Sequence, residues 1–538
     1  MGFFHSIFIK RGVVILDKPA QNLPKKHIVS FYKWIYAGLA LLLQIALIIY
    51  IILCFDGVYA LYFLLIFELI AVIMSFIIAW RDDNPSYKIS WIITLFILPV
   101  FGVMLYFFIG KARIPKKWRM QINHISMHTD KLYPIDFEDN CLKLTEKYPY
   151  TLRQAAYLIK TGNFRLYKNT DVKYFSTGTQ KYYALLNELK KAQKFIFLEY
   201  FIISEGEMWD SIYKILCKKA EQGVDVRVIY DDMGCFTTLK HDFCERLRRH
   251  GIKVYPFNKI IPLLNCFYVS YRDHRKIAVI DGNVGFTGGI NLADEYINKV
   301  ISHGYWKDTA IMLKGDAVWE LTRMFLQMWH MASNTLPYPD DEYTKFLPSL
   351  SHNKNNDGYI IPYGDIPTFG ANNAENLYLQ ILSSANKYVY ITSPYLIIDD
   401  AMKKALCMAA QSGIDVKIIT PKIPDHSYVH IMTRYSYGVL IKNGVKIYEY
   451  QPGFIHSKTI VCDDVVASVG TVNMDFRSFY LHFECGVWVC GDKSVKDIKQ
   501  DFIKSLKDCK EISYKEWKKR PFYIKLCEII LNIFAPMM

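Results

Sequence analysis

No two of the chain's 12 cysteines stand in a CxxC spacing, which removes the zinc-ribbon and dithiol-redox classes at once. Cys54, Cys217, Cys407 and Cys462 lie in apolar stretches and read as small core residues of a reducing compartment. Acidic residues are in short supply as well. The 51 Asp and Glu are outnumbered by 65 Lys and Arg, a formal net charge of +14 over 538 residues. An anionic partner is therefore expected: nucleic acid, a phosphorylated metabolite or an acidic membrane surface. The first apolar run is preceded by a tail of about 30 residues and lacks a convincing small-residue cleavage site, which argues against a removed signal peptide.

Apolar sequence is in excess, and it is concentrated. Three runs, "IYAGLALLLQIALIIYIILCF" (35–55), "VYALYFLLIFELIAVIMSFIIAW" (58–80) and "WIITLFILPVFGVMLYFFI" (91–109), each approach the roughly 20 residues a membrane span requires. Pro99 and Gly102 in the third are tolerated in a bilayer. The reading is a multi-pass membrane protein with spans at 35–55, 58–80 and 91–109. Lys10, Arg11, Lys18, Lys25, Lys26 and Lys33 mark the N-terminus as cytoplasmic. Lys111, Arg113, Lys116, Lys117 and Arg119 say the same of the segment after the third run. Three full spans cannot satisfy both clusters.

The remainder is duplicated. "KFIFLEYFIISEGEMWDSIYKILCKKAEQGVDVRVIYDD" from Lys194 and "KYVYITSPYLIIDDAMKKALCMAAQSGIDVKIITP" from Lys387 both read strand, helix, glycine turn, strand. "GIKVYPFN" from Gly251 and "GVKIYEYQ" from Gly444 keep the same offset of 193 residues. The fold class is α/β, in two copies of one unit. The expected boundaries are a basic tail (1–34), the membrane region (35–109), a basic linker (110–150), a first domain (151–345), a second (346–515) and a basic, amphipathic C-terminal tail (516–538).

Each copy carries HxKxxxxD: "HRKIAVID" from His274 and "HSKTIVCD" from His456. The first opens a hairpin, "HRKIAVIDGNVGFTGG", with a turn at Asp-Gly. Residues two apart on a strand face the same way, so His274 projects with Lys276 and His456 with Lys458. Asp281 and Asp463, at the strand ends, are expected chiefly to hold the site by hydrogen bonds. Downstream, each copy repeats G-x-x-N: Gly288 and Asn291, Gly470 and Asn473. Two histidines can serve as nucleophile and acid, while lysines and asparagines donate where a phosphoryl oxygen gains charge. The set reads as a phosphodiester-transfer site working through phosphohistidine. No metal and no cofactor are called for, since cationic side chains supply the positive field and lysine is no ordinary ligand.

These residues resemble the phospholipase D superfamily, and within it the bacterial cardiolipin synthases. The likeness rests on the paired motifs and on "NPSYKISWIITLFILPVFGVMLYFFIGK", "FTGGINLADEY", "GYWKDTAIMLKGDAV" and "VGTVNMDFRSFYLHFE", and covers about residues 58–538. It implies two pseudo-symmetric phospholipase D-like α-β-α domains sharing one active site, with His274, Lys276, Asp281, His456, Lys458 and Asp463 as the catalytic set. Asn291 and Asn473 would bind the substrate phosphate, with Gly288, Gly470 and Glu484 in support. The implied reaction moves a phosphatidyl group between two phosphatidylglycerol molecules, giving cardiolipin and glycerol. A phospholipase D-type hydrolase, or transfer to another alcohol, is the alternative. Nothing in the near-symmetric pair singles out the nucleophile. Two departures stand out: the apolar run at 35–55 exceeds the family's usual two spans, and Thr471 stands where serine is common. A nuclease is disfavoured by the membrane segments, so no nucleic-acid partner is expected. A non-catalytic scaffold is disfavoured by the intact motifs. The expected partners are phosphatidylglycerol and an anionic membrane surface, which the tail with Phe522, Leu526, Ile529, Ile530, Ile533 and Phe534 would meet as an interfacial helix.

Overall fold

The computed structural model describes residues 57–110, 114–133, 137–260, 270–349, 358–367 and 372–537, with Leu42, Ala46, Ile49 and Tyr50 placed singly in helix. The expected span at 35–55 lies outside the continuously described residues.

Helix α1 (Gly57–Trp80) follows from an apolar run without proline, interrupted by Glu68 and Ser75. Within it Leu61–Trp80, 20 residues, is the one helix among the described residues long and apolar enough to cross a membrane. The third expected span is not a single helix. Asn84 caps α2 (Pro85–Ile97) by accepting from the Ser86 N–H, the chain turns at Leu98 (φ −130°, ψ 68°), and α3 (Pro99–Ile109) runs back. Pro99 brings no N–H to continue the first helix and is preset for the first position of the next. The two arms touch along their length. Tyr87 donates to the Gly110 carbonyl at 3.1 Å, Trp91 meets Tyr106 edge-on at 5.1 Å, and a Cβ on Gly102 would lie 2.8 Å from the Thr94 carbonyl. Residues 91–109 are therefore most of a helical hairpin, a correction to the span read from hydropathy.

Beyond the hairpin the chain holds two mixed sheets. The first comprises β1 (Thr170–Phe175), β2 (Phe195–Tyr200), β3 (Asp225–Asp231), β4 (Lys253–Phe257), β5 (Lys276–Ile280), β6 (Val284–Gly288) and β7 (Ala310–Gly315), in the order β1-β7-β6-β5-β2-β3-β4. The second comprises β8 (Tyr359–Asp365), β9 (Tyr388–Thr392), β10 (Asp415–Pro421), β11 (Lys446–Tyr450), β12 (Thr459–Cys462), β13 (Val466–Gly470), β14 (His482–Cys490) and β15 (Cys509–Glu511). Its order is β8-β14-β13-β12-β9-β10-β11-β15. Apart from β15, the two orders are the same, and in both the strands β2-β3-β4 and β9-β10-β11 run parallel.

Strands β2, β5, β6, β8, β9, β12 and β13 are buried throughout because the sheets are covered on both faces, whereas β1, β4, β11 and β15, at or next to a sheet edge, keep exposed residues. Alternation along β5 sends Ile277 and Val279 into a core shared by both sheets and helix α4 (Val318–Ser333). Ala278 and Ile280 face a second core beneath the helices Gly178–Lys191 and Glu207–Glu221. Along β12, Val461 joins the shared core, whereas Ile460 and Cys462 face a third. This parity carries Lys276 and Lys458 on the faces opposite the shared core. Two short segments cross between the halves. Arg272–Asp273 pairs with His482–Phe483 of β14, and Gly453–Ile455 pairs with Tyr305–Lys307.

Candidate active site

Those two crossings place the histidines. The His274 N–H donates to the Phe483 carbonyl at 2.9 Å, and the His456 N–H to the Lys307 carbonyl at 2.7 Å. Each histidine, just before its own strand, is thus pinned to backbone of the opposite half. The residue after each of those carbonyls is acidic. Glu484 takes the Nδ1–H of His274 at 2.9 and 3.0 Å, and Asp308 takes the Nδ1–H of His456 at 2.7 Å. A carboxylate only accepts, so both rings carry their proton on Nδ1 and hold the Nε2 lone pair free.

Asp308 was not picked out from sequence, yet the repeat contains it. Gly288 pairs with Ala310 across β6–β7, and Gly470 with Gly486 across β13–β14. Two residues before each partner stand Asp308 and Glu484, in equivalent positions. Gly288 and Gly470 permit the close approach this needs. A Cβ on Gly288, where φ is 139°, would meet the Ala310 Cα at 2.5 Å, and one on Gly470 would meet the Gly486 Cα at 2.6 Å. Thr471 keeps the hydroxyl of the more usual serine and donates it to Glu484 Oε2.

Both lysines are buried, at 1% exposure, beside the histidines. Lys276 Nζ donates to the His274 carbonyl at 2.6 Å, and Lys458 Nζ to the His456 carbonyl. Each ammonium retains two further N–H donors for an anion. Burial lowers Lys276 to about 8 and Lys458 to about 7. Burial also pulls His274 well below its usual value, with Lys276, Lys458 and His456 adding to it. His456 falls to about 4, through burial and Lys458, against the pull of Asp308. The halves therefore meet within electrostatic reach, with the ammonium groups of Lys276 and Lys458 and the carboxylates of Glu484 and Asp308 acting on one another.

Asn291 accepts from the Ile202 N–H at 3.1 Å and donates to the Tyr296 hydroxyl at 2.7 Å, leaving one amide hydrogen over. Asn473 keeps its side-chain oxygen buried with no hydrogen-bond partner among the described residues. His482, also unread from sequence, lies 5.6 Å ring to ring from His274 and 3.8 Å by Nδ1 from Glu484. Ligand atoms of His274, His482 and Glu484 fall within 4.8 Å of one another, a size that could hold a metal ion. The fit is poor electrically. The ammonium groups that disfavour imidazolium at His274 disfavour a cation there equally.

The motif aspartates are elsewhere. Asp281 (φ 53°) and Gly282 (φ 70°) form the turn of the β5–β6 hairpin, about 16 Å of strand beyond Lys276. The Asp281 carboxylate accepts from the N–H groups of Gln193, Lys194 and Phe195 at 2.7–2.9 Å. Asp463 does the same for Asn386, Lys387 and Tyr388 at 2.6–2.9 Å. Both belong to the strand entrances at the far end of each sheet, where their hydrogen bonds go to backbone N–H groups.

A family profile described as "Cardiolipin synthase, PLD-like domain" matches residues 185–329 and 378–506, and one described as "Phospholipase_D-nuclease N-terminal" matches residues 69–111. An uncharacterized protein of Streptococcus mutans is 42% identical over 452 residues, covering 84% of this chain and 96% of the relative. A cardiolipin synthase of Listeria innocua is 33% identical over 493 residues, 89% of this chain and 99% of the relative. Among solved structures, the phosphatidylserine synthase of Haemophilus influenzae aligns with 72% of this chain and 98% of its own at a TM-score of 0.55 and 14% identity, a likeness of fold.

Proposed function

The chain belongs to the cardiolipin synthases of the phospholipase D superfamily, and from that premise we propose that it joins two phosphatidylglycerol molecules into cardiolipin and glycerol at the paired-histidine site. The crossed pairing of His274 with Glu484 and His456 with Asp308 carries this reading. It prepares two imidazoles alike, each with a lone pair on Nε2. In the first step the Nε2 lone pair of one histidine forms a P–N bond as the P–O bond to glycerol breaks, and the other histidine gives its proton to the departing oxygen. In the second, that histidine takes the proton back from a hydroxyl of the incoming phosphatidylglycerol. The hydroxyl oxygen bonds phosphorus and the P–N bond breaks.

Lys276, Lys458, Asn291 and Asn473 meet the non-bridging oxygens, where negative charge is borne throughout. The site needs one imidazole protonated, and burial opposes that in the free protein. The bound phosphodiester supplies the compensating negative charge, so substrate binding draws in a proton.

The two sheets with their common strand order act as pseudo-symmetric domains, 151–345 and 346–515, sharing the one site. The protein works as a multi-pass component of the bacterial cell membrane, its basic surface turned to an anionic leaflet.

The test is purified full-length protein given labelled phosphatidylglycerol in mixed micelles. Cardiolipin and free glycerol are expected from the wild type, and neither from His274→Ala or His456→Ala. Phosphatidic acid alone would assign the site to hydrolysis, and no product from any phosphatidyl donor would end the reading.

A further inference from the structure

The hairpin α2–α3 enters and leaves at one level. Rungs at Tyr87–Gly110, Trp91–Tyr106 and Thr94–Gly102 close towards a tip at Leu98. Its arms of 13 and 11 residues reach about 20 and 17 Å at 1.5 Å per residue, short of the roughly 30 Å hydrocarbon core but enough for one leaflet. The hairpin packs on the second half of α1, through a cluster of Ala71, Met74 and Ile78 with Trp91, Leu95, Val103 and Tyr106. Tyr106 also accepts from Arg81, just past the span's end, at 2.7 Å. Phe96 and Ile97 at the tip are 58% and 62% exposed. Beside a membrane span, such side chains belong in acyl chains.

The C-terminus is tied to the same place. Ser90 donates to the Ile533 carbonyl at 2.5 Å, and Met537 packs on the cluster around Trp91. Helix α5 (Ser427–Lys442) lies against one side of α6 (Phe522–Phe534). The other side exposes Phe522, Leu526, Ile529 and Ile530, next to exposed Lys515, Lys518 and Lys519. Apolar face and cationic flank together match an anionic lipid leaflet. The hairpin's first cap also reaches the catalytic body. Asn84 donates to Asp399 at 3.1 Å and to Tyr480 at 2.9 Å, and Tyr480 is four residues from Glu484.

We propose that residues 85–109 are a re-entrant hairpin, inserted into one leaflet from the catalytic side, with α6 lying beside it in the same leaflet as a docking surface for anionic lipid. The topology conflict in the sequence then resolves. If the apolar run at 35–55, which lies outside the continuously described residues, crosses as its sequence implies, then with a span at 58–80 and a hairpin after it the basic N-terminal tail and the basic residues from Lys111 to Arg119 fall on one side, as the positive-inside rule requires. The lipid substrate also reaches the histidines from the leaflet in which the hairpin lies. That last consequence rests on the proposed function, whereas the topology does not.

The experiment is thiol mapping of the full-length protein in sealed vesicles of phosphatidylglycerol and phosphatidylethanolamine. A background keeps Cys527, exposed on α6, or one introduced site at a time. Asp82→Cys and Lys116→Cys should react with an impermeant maleimide from the same side. A fluorophore on Phe96→Cys, with Ile97→Cys as a second tip position, should be quenched by nitroxide lipids and spared by aqueous iodide. One on Cys527 should be quenched by nitroxides placed nearer the headgroups. Modification of Asp82→Cys and Lys116→Cys from opposite sides, or iodide quenching at both tip positions, would overturn the proposal. Labelling does not depend on turnover, so this pattern in a preparation that makes no cardiolipin would uphold the hairpin and remove the synthase reading.

Discussion

Asp308, just ahead of β7 in the first sheet, accepts the Nδ1–H of His456 from the second at 2.7 Å, and Glu484 returns the arrangement to His274. Neither half owns a complete acid–base group. Each supplies a histidine and the carboxylate that orients the other's. This dependence is a physical reason for the duplication to persist as one chain.

Asp308→Asn and Glu484→Gln should each lower kcat by about 10²–10⁴-fold, because an amide lets the ring turn to the wrong tautomer. The two act on different histidines, so they should differ in the step they slow. In rapid-quench experiments, one should suppress the phosphohistidine and the other should make it accumulate. Equal effects on both steps, or KM changes alone, would show that the carboxylates do not position the rings.

The pH dependence follows from the lysines and from the proton taken up with substrate. Lys458 and Lys276 are lowered by burial to about 7 and about 8, so the free site loses its anion-holding charge as pH rises through these values. kcat/KM should therefore fall between about pH 7 and 9. kcat should fall less, since bound phosphodiester holds the protons on. His456, lowered to about 4, sets the acid limit. A kcat/KM that stays flat from about pH 6 to 9 would exclude this assignment of the cations.

Much of this site was legible because it lies along single strands. Period-two alternation placed His274 with Lys276 and His456 with Lys458, and the Asp-Gly pair marked the hairpin turn. Asp308 was not legible in that way. It meets His456 across two sheets, and its counterpart is a glutamate at an offset of 176 residues, where the histidines keep 182 and the first strands 193. Loop lengths blur the repeat where the site closes. The hairpin at 85–109 escaped for another reason. Hydropathy measures how apolar a run is and how long, but the reversal at Leu98–Pro99 is set by backbone geometry and by the close approach that Gly102 allows.

Asp281 and Asp463 should report on folding and leave the chemistry alone. Each carboxylate collects three backbone N–H groups at a strand entrance, and removing it returns two of them to water and strands the third, which is part-buried. Asp281→Ala should cost about 1–3 kcal/mol of stability, and Asp281→Asn less, since asparagine tolerates the positive φ. Folded variant should keep kcat within about a factor of three. A folded, thermally unchanged Asp281→Asn without activity would return the aspartate to the catalytic set.

Lys276 and Lys458 should show the opposite balance. An ammonium whose pKa is lowered on folding weakens the fold at every pH below the folded value, and the penalty lifts as pH climbs to the unfolded value near 10.5. Lys276→Met keeps the length of the side chain and removes the charge. It should be more stable than wild type at neutral pH, by on the order of a few kcal/mol, with the gain shrinking towards about pH 10. The same substitution removes a donor to the phosphoryl oxygens and should lower kcat/KM by about 10²–10³-fold. Thermal unfolding across pH alongside turnover tests both halves. A variant that loses stability and activity together would make the lysine a structural group, whereas a gain in one with loss of the other is what a buried cation held for its substrate requires.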